Sequence, residues 1–331
     1  MVTKLALLGA GRIGKVHARA IAEDRRAKLV AVADAFPEAA KAIAEASGAA
    51  VKTIDEIEAD KDIDAVIICT PTNTHADLIE RFARAGKAIF CEKPIDLDVE
   101  RARACLETVR KVGGKVMLGF NRRFDPHFQA VRKEIDKGTI GKVEMVTIIS
   151  RDPGPPPAEY IKVSGGIFRD MTIHDFDMAR FLLGEEIDTV MASASVLVDP
   201  KIGELGDYDS ASLILTTKSG RQAIISNSRR ASYGYDQRIE AHGSLGAVSA
   251  ENQRPVSIEV ATKDGYTRPP LHDFFMTRYT AAYAAEISAF IDGLEQGTPL
   301  SPSAEDGLIA LALADAAIKA VEQKTAVKVV Y

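Results

Sequence analysis

The segment Gly9-Ala10-Gly11-Arg12-Ile13-Gly14 lies between an apolar run, Lys4–Leu8, and an amphipathic stretch, Gly14–Glu23. Three glycines at this spacing between a strand and a helix restrict the fold sharply. The first permits a tight turn, the second lets the backbone approach a pyrophosphate, and the third allows close helix–strand packing. Free N–H groups at the helix start then receive the phosphate charge. Asp34 closes the next apolar run, Lys28–Ala33, 20 residues beyond Gly14. A carboxylate there can accept hydrogen bonds from the adenosine ribose. Gly9, Gly11, Arg12, Ile13, Gly14 and Asp34 are thus the expected dinucleotide contacts. Asp34 would repel a 2′-phosphate, and Ala35-Phe36-Pro37 brings no Arg to neutralise one, which favours NAD over NADP. Arg12 is the loop cation placed to reach such a phosphate.

The first 120 residues repeat the pattern. Short apolar runs at Ala65–Cys69, Ala88–Cys91 and Lys115–Leu118 alternate with Ala-rich amphipathic stretches at Pro37–Ser47, His75–Ala85 and Val99–Val112. Strands of four to six residues separated by helices of ten or more predict βαβ units and a parallel sheet covered on both faces. Beyond residue 120 the texture changes. Helical patterns at Phe124–Lys137 and Asp170–Leu183 flank a strand at Val143–Ser150 and a loop rich in proline, Asp152–Pro157. Strand-like runs follow at Val190–Val198, Ser210–Thr217, Gln222–Asn227, Gln237–Ala241 and Val256–Val260. Short turns such as Lys218-Ser219-Gly220 predict an antiparallel arrangement. Helices at Thr277–Glu295 and Ala304–Gln323 precede a last strand, Ala326–Val330. The expected architecture is a doubly wound dinucleotide-binding domain, 1–120, followed by an α+β domain, 121–331, built on a large, mostly antiparallel open sheet. The last helices are candidates to pack back on the first domain.

Composition narrows the function classes. The 331 residues carry 42 Lys and Arg against 47 Asp and Glu, a net charge of −5, which lacks the basic surplus that nucleic acid requires. No stretch approaches the roughly 18 apolar residues of a membrane span, and Lys4–Leu8 runs into the glycine loop with no signal peptide. Cys69, Cys91 and Cys105 show no metal-ligand spacing, and neither HExxH nor CxxC occurs, so no metal site is expected. Buried free thiols fit a reducing compartment, and the expected location is the cytoplasm.

Two polar clusters interrupt the apolar pattern. Glu92-Lys93-Pro94 ends the run Ala88–Cys91, and ligands of open α/β sheets bind outside the carboxyl ends of the strands. On position alone Lys93 also reads as a solvated charge. The second cluster runs from Gly165 to Asp177. Asp170 and His174, four apart, share one helical face, with Asp177 three further on. A carboxylate beside an imidazole can orient it, although a surface acid–histidine pair has the same spacing. An imidazole suits removal of a hydroxyl proton near neutral pH, and an ammonium stabilises the alkoxide that develops. His17, His127, His242 and His272 read as surface or packing residues.

These motifs, with Thr70-Pro71-Thr72-Asn73-Thr74-His75 after the run Ala65–Cys69, resemble the glucose–fructose oxidoreductase and inositol dehydrogenase family over essentially the full chain. The resemblance implies a catalytic set of Lys93, Asp170 and His174, with His174 as base. It implies that Thr70, Pro71, His75, Glu92 and Lys93 join the cofactor contacts. It further implies an NAD-dependent dehydrogenase of a cyclic polyol, oxidising myo-inositol to 2-keto-myo-inositol (scyllo-inosose), in a homodimer or homotetramer paired through the C-terminal sheet. Likeness to the inositol-oxidising members rests on Gly119–Asp125, Ser150–Pro153, Ile173–Asp177 and Tyr233–Asp236. Asn121, Arg122, Asp152, Tyr233, Tyr235 and Tyr283 are the substrate candidates it offers. Arg123, like Arg122, reads equally as an exposed cation or a structural ion pair, and Tyr233 and Tyr235 would point to opposite faces if their strand continued. Ile167 and Thr172 depart from the glycines common around the catalytic Asp in relatives. Another inositol isomer or a pyranose would use the same chemistry. A non-catalytic NAD(P) or sugar sensor is the rival of another class, and it has no need of an intact Lys93, Asp170 and His174.

Overall fold

The structure, a computed structural model, describes residues 2–331. Two compact units divide the chain. One holds residues up to Asp125 together with Thr280–Leu311; the other holds Pro126–Tyr279 and Ala312–Tyr331.

The first unit alternates strand and helix. In chain order these are β1 (Thr3–Leu8), α1 (Arg12–Glu23), β2 (Ala27–Ala33), α2 (Pro37–Ser47), β3 (Ala50–Val51), α3 (Ile54–Ala59), β4 (Ala65–Ile68), α4 (His75–Arg84), β5 (Ala88–Glu92), α5 (Val99–Val112) and β6 (Val116–Gly119). The sheet is parallel throughout, in the order β3-β2-β1-β4-β5-β6. Leu5–Leu8 of β1, all of β4 and Ile89–Cys91 of β5 are buried without alternation, because helices cover both faces of such a sheet. Local chemistry sets the helix ends. Asp98 accepts from the backbone of Glu100 and Arg101 to start α5, and Gly113, at φ +65°, ends it. The strand order reverses between β1 and β4, the switch point where ligands of such sheets bind.

The second unit contains α6 (Pro126–Asp136), β7 (Val143–Arg151), α7 (Ala158–Ser164), a π-helical turn Phe168–Thr172, α8 (Ile173–Leu183), β8 (Ile187–Ser195), α9 (Pro200–Glu204), β9 (Ser210–Thr217), β10 (Gln222–Ser228), β11 (Asp236–Gly243), β12 (Gly246–Ala250), β13 (Val260–Thr262), β14 (Gly265–Thr267) and α10 (Phe275–Arg278). The chain then forms α11 (Thr280–Gln296) in the first unit. It continues into α12 (Ala304–Gln323), which begins in the first unit and ends in the second, and closes with β15 (Val327–Lys328). Seven strands form a mixed sheet ordered β12-β11-β7-β10-β9-β8-β15. Alternation is clean: Val146, Ile148, Leu213, Leu215, Ala223 and Ile225 are buried on one face, and α8 packs on β7. The opposite face leaves Met145, Met191, Ile214 and Ile224 between 38% and 51% exposed.

The doubly wound parallel sheet followed by a mostly antiparallel sheet is the fold class read from the sequence. Particular elements differ. β10 pairs parallel with β7, and β9 sits antiparallel on its other side; alternation alone does not report direction. No strand spans Val256–Val260. Val256 and Ile258 are more than half exposed, so that apolar run has no sheet face to join, and the local strands are the small β13–β14 hairpin. β3 and α3 went unread because a two-residue edge strand and a six-residue helix are too short to show a period. All three cysteines are free and buried.

Candidate active site

The glycine turn shows why each glycine is there. Gly9 stands at φ +94°, and a methyl group on it would lie 2.5 Å from the Cys69 carbonyl oxygen. A methyl on Gly14 would come within 2.0 Å of the Gly9 carbonyl oxygen, whereas nothing lies within 4 Å of that position on Gly11. The outer glycines are demanded by packing, and the middle one keeps an approach surface open. α1 begins immediately beyond with no side-chain cap, so its first N–H groups are left for an anion. Arg12 is exposed there and Ile13 half-buried. Asp34, directly after β2, accepts from the Ala10 N–H at 2.6 Å through Oδ2 and from the Phe36 N–H at 2.7 Å through Oδ1. One carboxylate thus braces the turn and keeps lone pairs for ribose hydroxyls. The residues present fit a dinucleotide with a diphosphate at Gly11 and an unphosphorylated ribose at Asp34.

At the carboxyl ends of β4 and β5, buried His75 joins two loops. Its Nδ1 lies 2.7 Å from the Pro94 carbonyl oxygen and its Nε2 lies 2.8 Å from that of Thr70. Burial holds this imidazole below its ordinary pKa, against the pull of the two carbonyls. Thr70, Pro71 and the Lys93–Pro94 segment are therefore fixed relative to each other. Glu92, the last residue of β5, places Oε1 2.6 Å from His17 Nε2. A methyl on Gly119 would meet the Glu92 carboxylate at 3.1 Å, so that glycine makes room for it. Asn121 and Arg122 sit buried on a 3-10 turn after β6. Arg123 is ion-paired with Asp306 at 3.1 Å, the structural ion pair that the sequence left open for it. Tyr283, on α11, sets its ring edge-on to His17 at 5.6 Å.

The second unit holds the imidazole cluster. Asp170 lies in the π-helical turn and His174 in the first turn of α8; insertions of this kind recur at functional sites. Tyr160 donates to Asp170 Oδ1 at 2.8 Å, and Arg229, 1% exposed, reaches Asp170 Oδ2 at 3.4 Å and Asp207 at 3.3 Å. α8 is pinned to the sheet through fully buried Asp175, which accepts from Ser150 at 2.6 Å and Asn227 at 2.7 Å. The sequence reading missed Tyr160, Arg229 and Asp175, because their partners are remote along the chain. The Asp just after His174 was the one signal. Asp177 is buried as well. Asp152 follows β7, its N–H donating to the Ser228 carbonyl. The strand expected to run through both tyrosines breaks at Gly234, whose φ is +116°, and β11 opens only at Asp236. Tyr233 is half-exposed and donates to Asp236 at 2.6 Å, whereas Tyr235 is buried between Phe274 and Tyr279.

A parallel sheet with this glycine turn and a carboxylate directly after β2 defines a dinucleotide-binding domain of the NAD type. Residues 3–120 match the model of the oxidoreductase family with an NAD-binding Rossmann fold, and 128–249 match the GFO/IDH/MocA C-terminal domain. The chain is 71% identical to inositol 2-dehydrogenase of Rhizobium meliloti over 99% of its own length and 100% of that protein. It superimposes on a myo-inositol dehydrogenase from Corynebacterium glutamicum with a TM-score of 0.97 and 46% identity, covering 100% of each. The scyllo-inositol dehydrogenase of Lactobacillus casei, solved with NAD(H) and scyllo-inositol, gives 0.92 and 30% identity over 99% of each. The chain belongs to the GFO/IDH/MocA oxidoreductase family and is an NAD-dependent dehydrogenase.

Proposed function

We propose that this dehydrogenase oxidises myo-inositol at carbon 2, giving scyllo-inosose. The observation that carries the reading is the 71% identity, over nearly the whole chain, to an inositol 2-dehydrogenase, joined to the presence of Lys93, Asp170 and His174. NAD, held at Gly9, Gly11, Gly14 and Asp34, supplies the hydride acceptor. His174 takes the hydroxyl proton, a transfer suited to an imidazole with an ordinary pKa of about 6.5. The Lys93 ammonium stabilises the alkoxide that develops on that oxygen. Asp170, held by Tyr160 and Arg229, is assigned the role of orienting the base. Asn121, Arg122, Asp152, Tyr233 and Tyr283 are assigned to the remaining ring hydroxyls. Tyr235 packs among aromatic rings and is the weaker of the two flanking tyrosines for that role. A sensor would have no use for the proton-transfer set. Incubation with NAD and a panel of inositol isomers and pyranoses should give NADH fastest with myo-inositol. No NADH with any polyol would overturn the reading.

The exposed sheet face supports pairing with a second copy. Met191 lies opposite Ile214, and Ile214 opposite Ile224, in one ladder crossing β8, β9 and β10, a contiguous apolar row of the kind that marks interfaces. The double variant Ile214→Asp, Ile224→Asp should reduce the mass measured by light scattering to that of one chain. An unchanged mass would move the interface elsewhere. The three buried free thiols fit a cytoplasmic enzyme.

A further inference from the structure

Glu286, on α11, is fully buried, and neither of its carboxylate oxygens meets a hydrogen-bond donor. One oxygen of Glu286, one of Glu92 and a ring nitrogen of His17 all lie within 4.8 Å of one another. His17 Nε2 is bonded to Glu92 at 2.6 Å, while His17 Nδ1 is buried without a partner. Three elements, α1, β5 and α11, therefore each send one titratable side chain into the same space, and one of them, Glu92, immediately precedes Lys93 in the chain. The groups around it include two thiols, a tyrosine and two arginines. Cys69 and Cys91 are buried thiols held protonated by burial and by the nearby carboxylate charge. Tyr283 presents its ring to His17. The 3-10 turn packed on α11 carries Arg122 and Arg123, the latter engaged with Asp306.

An ionised Glu286 would put a second carboxylate charge beside Glu92 with no donor to receive it, a cost that no contact here offsets. A metal cation would need both carboxylates ionised, and if it took His17 Nε2 it would displace the 2.6 Å hydrogen bond to Glu92. We propose that Glu286 is a positioning residue: as a neutral carboxylic acid it completes a buried unit with His17 and Glu92 and holds the strand end bearing Lys93. The inference rests on the reading that Lys93 acts in catalysis.

Burial, reinforced by the charge of Glu92, raises the carboxyl of Glu286 well above its ordinary value. The unfolded chain releases that proton near the ordinary carboxyl value and the folded chain keeps it. Stability from this group is therefore lost as pH rises from the unfolded value toward the raised folded one. Urea unfolding of the full chain, compared between wild type and Glu286→Gln, should show their unfolding constants diverging about tenfold per pH unit above about pH 5, with the Gln variant the more stable. At neutral pH Glu286→Gln should keep kcat within about threefold, since the amide retains a donor. Glu286→Leu should fold yet lose about tenfold in kcat, because Glu92 and His17 then face an apolar side chain in place of a polar one. Metal analysis of the purified enzyme should find no stoichiometric divalent ion. A pH-independent ratio, equal damage from Gln and Leu, or one bound metal per chain would each overturn the proposal. A wild type inactive on every polyol, with the ratio still pH-dependent, would sink the functional reading and the positioning role while leaving the proton on Glu286.

Discussion

His174→Gln should lower kcat by about 10³-fold, the size of a lost general base, while the Kd for NAD moves by less than about threefold. The side chain stands in the first turn of α8, and that helix is fastened to the sheet by Asp175 through Ser150 and Asn227. A Gln of similar size leaves those anchors in place, so the fold and the glycine turn are untouched and only proton transfer is lost. Raising pH should restore part of the rate as the alcohol gives up its proton to solvent. Turnover kinetics and calorimetric NAD titration check both halves. Near-normal kcat would remove His174 from the chemistry.

Gly14→Ala should be as severe for a different reason. The added methyl group falls 2.0 Å from the Gly9 carbonyl oxygen, so the turn must open by roughly 1 Å, a displacement that can cost about 10²-fold at a positioned site. NAD affinity should drop by at least that factor, and overpacking should lower stability by about 1–3 kcal/mol. Gly11→Ala separates the two effects. Nothing lies within 4 Å of its methyl, so the melting temperature should hold while the methyl blocks the diphosphate and NAD affinity falls. Equal melting losses in both variants would mean the glycines serve only packing.

The first unit was legible because its signals are local. α2, α5 and α12 begin and end at the residues read from the sequence, since Pro37, Asp98 and Gly113 mark boundaries through their own backbone chemistry. The glycine turn and Asp34 were readable for the same reason: spacing along one strand–turn–helix fixes their geometry. The second unit was less so. Alternation showed which face of each strand is buried but could not show that β10 runs parallel to β7. Arg229 reads as one of two adjacent arginines, and only the folded chain sets it between Asp170 and Asp207. His17 reads as a packing residue and is buried, yet its bond to Glu92 spans 75 residues, as does no local pattern.

Oxidation of myo-inositol carrying deuterium at carbon 2 tests the central claim most directly. The NADH formed should contain one deuterium at the reduced ring carbon, and the organic product should be the 2-ketone free of label. Unlabelled NADH, or none at all in the presence of active, folded protein, would contradict hydride transfer from that carbon.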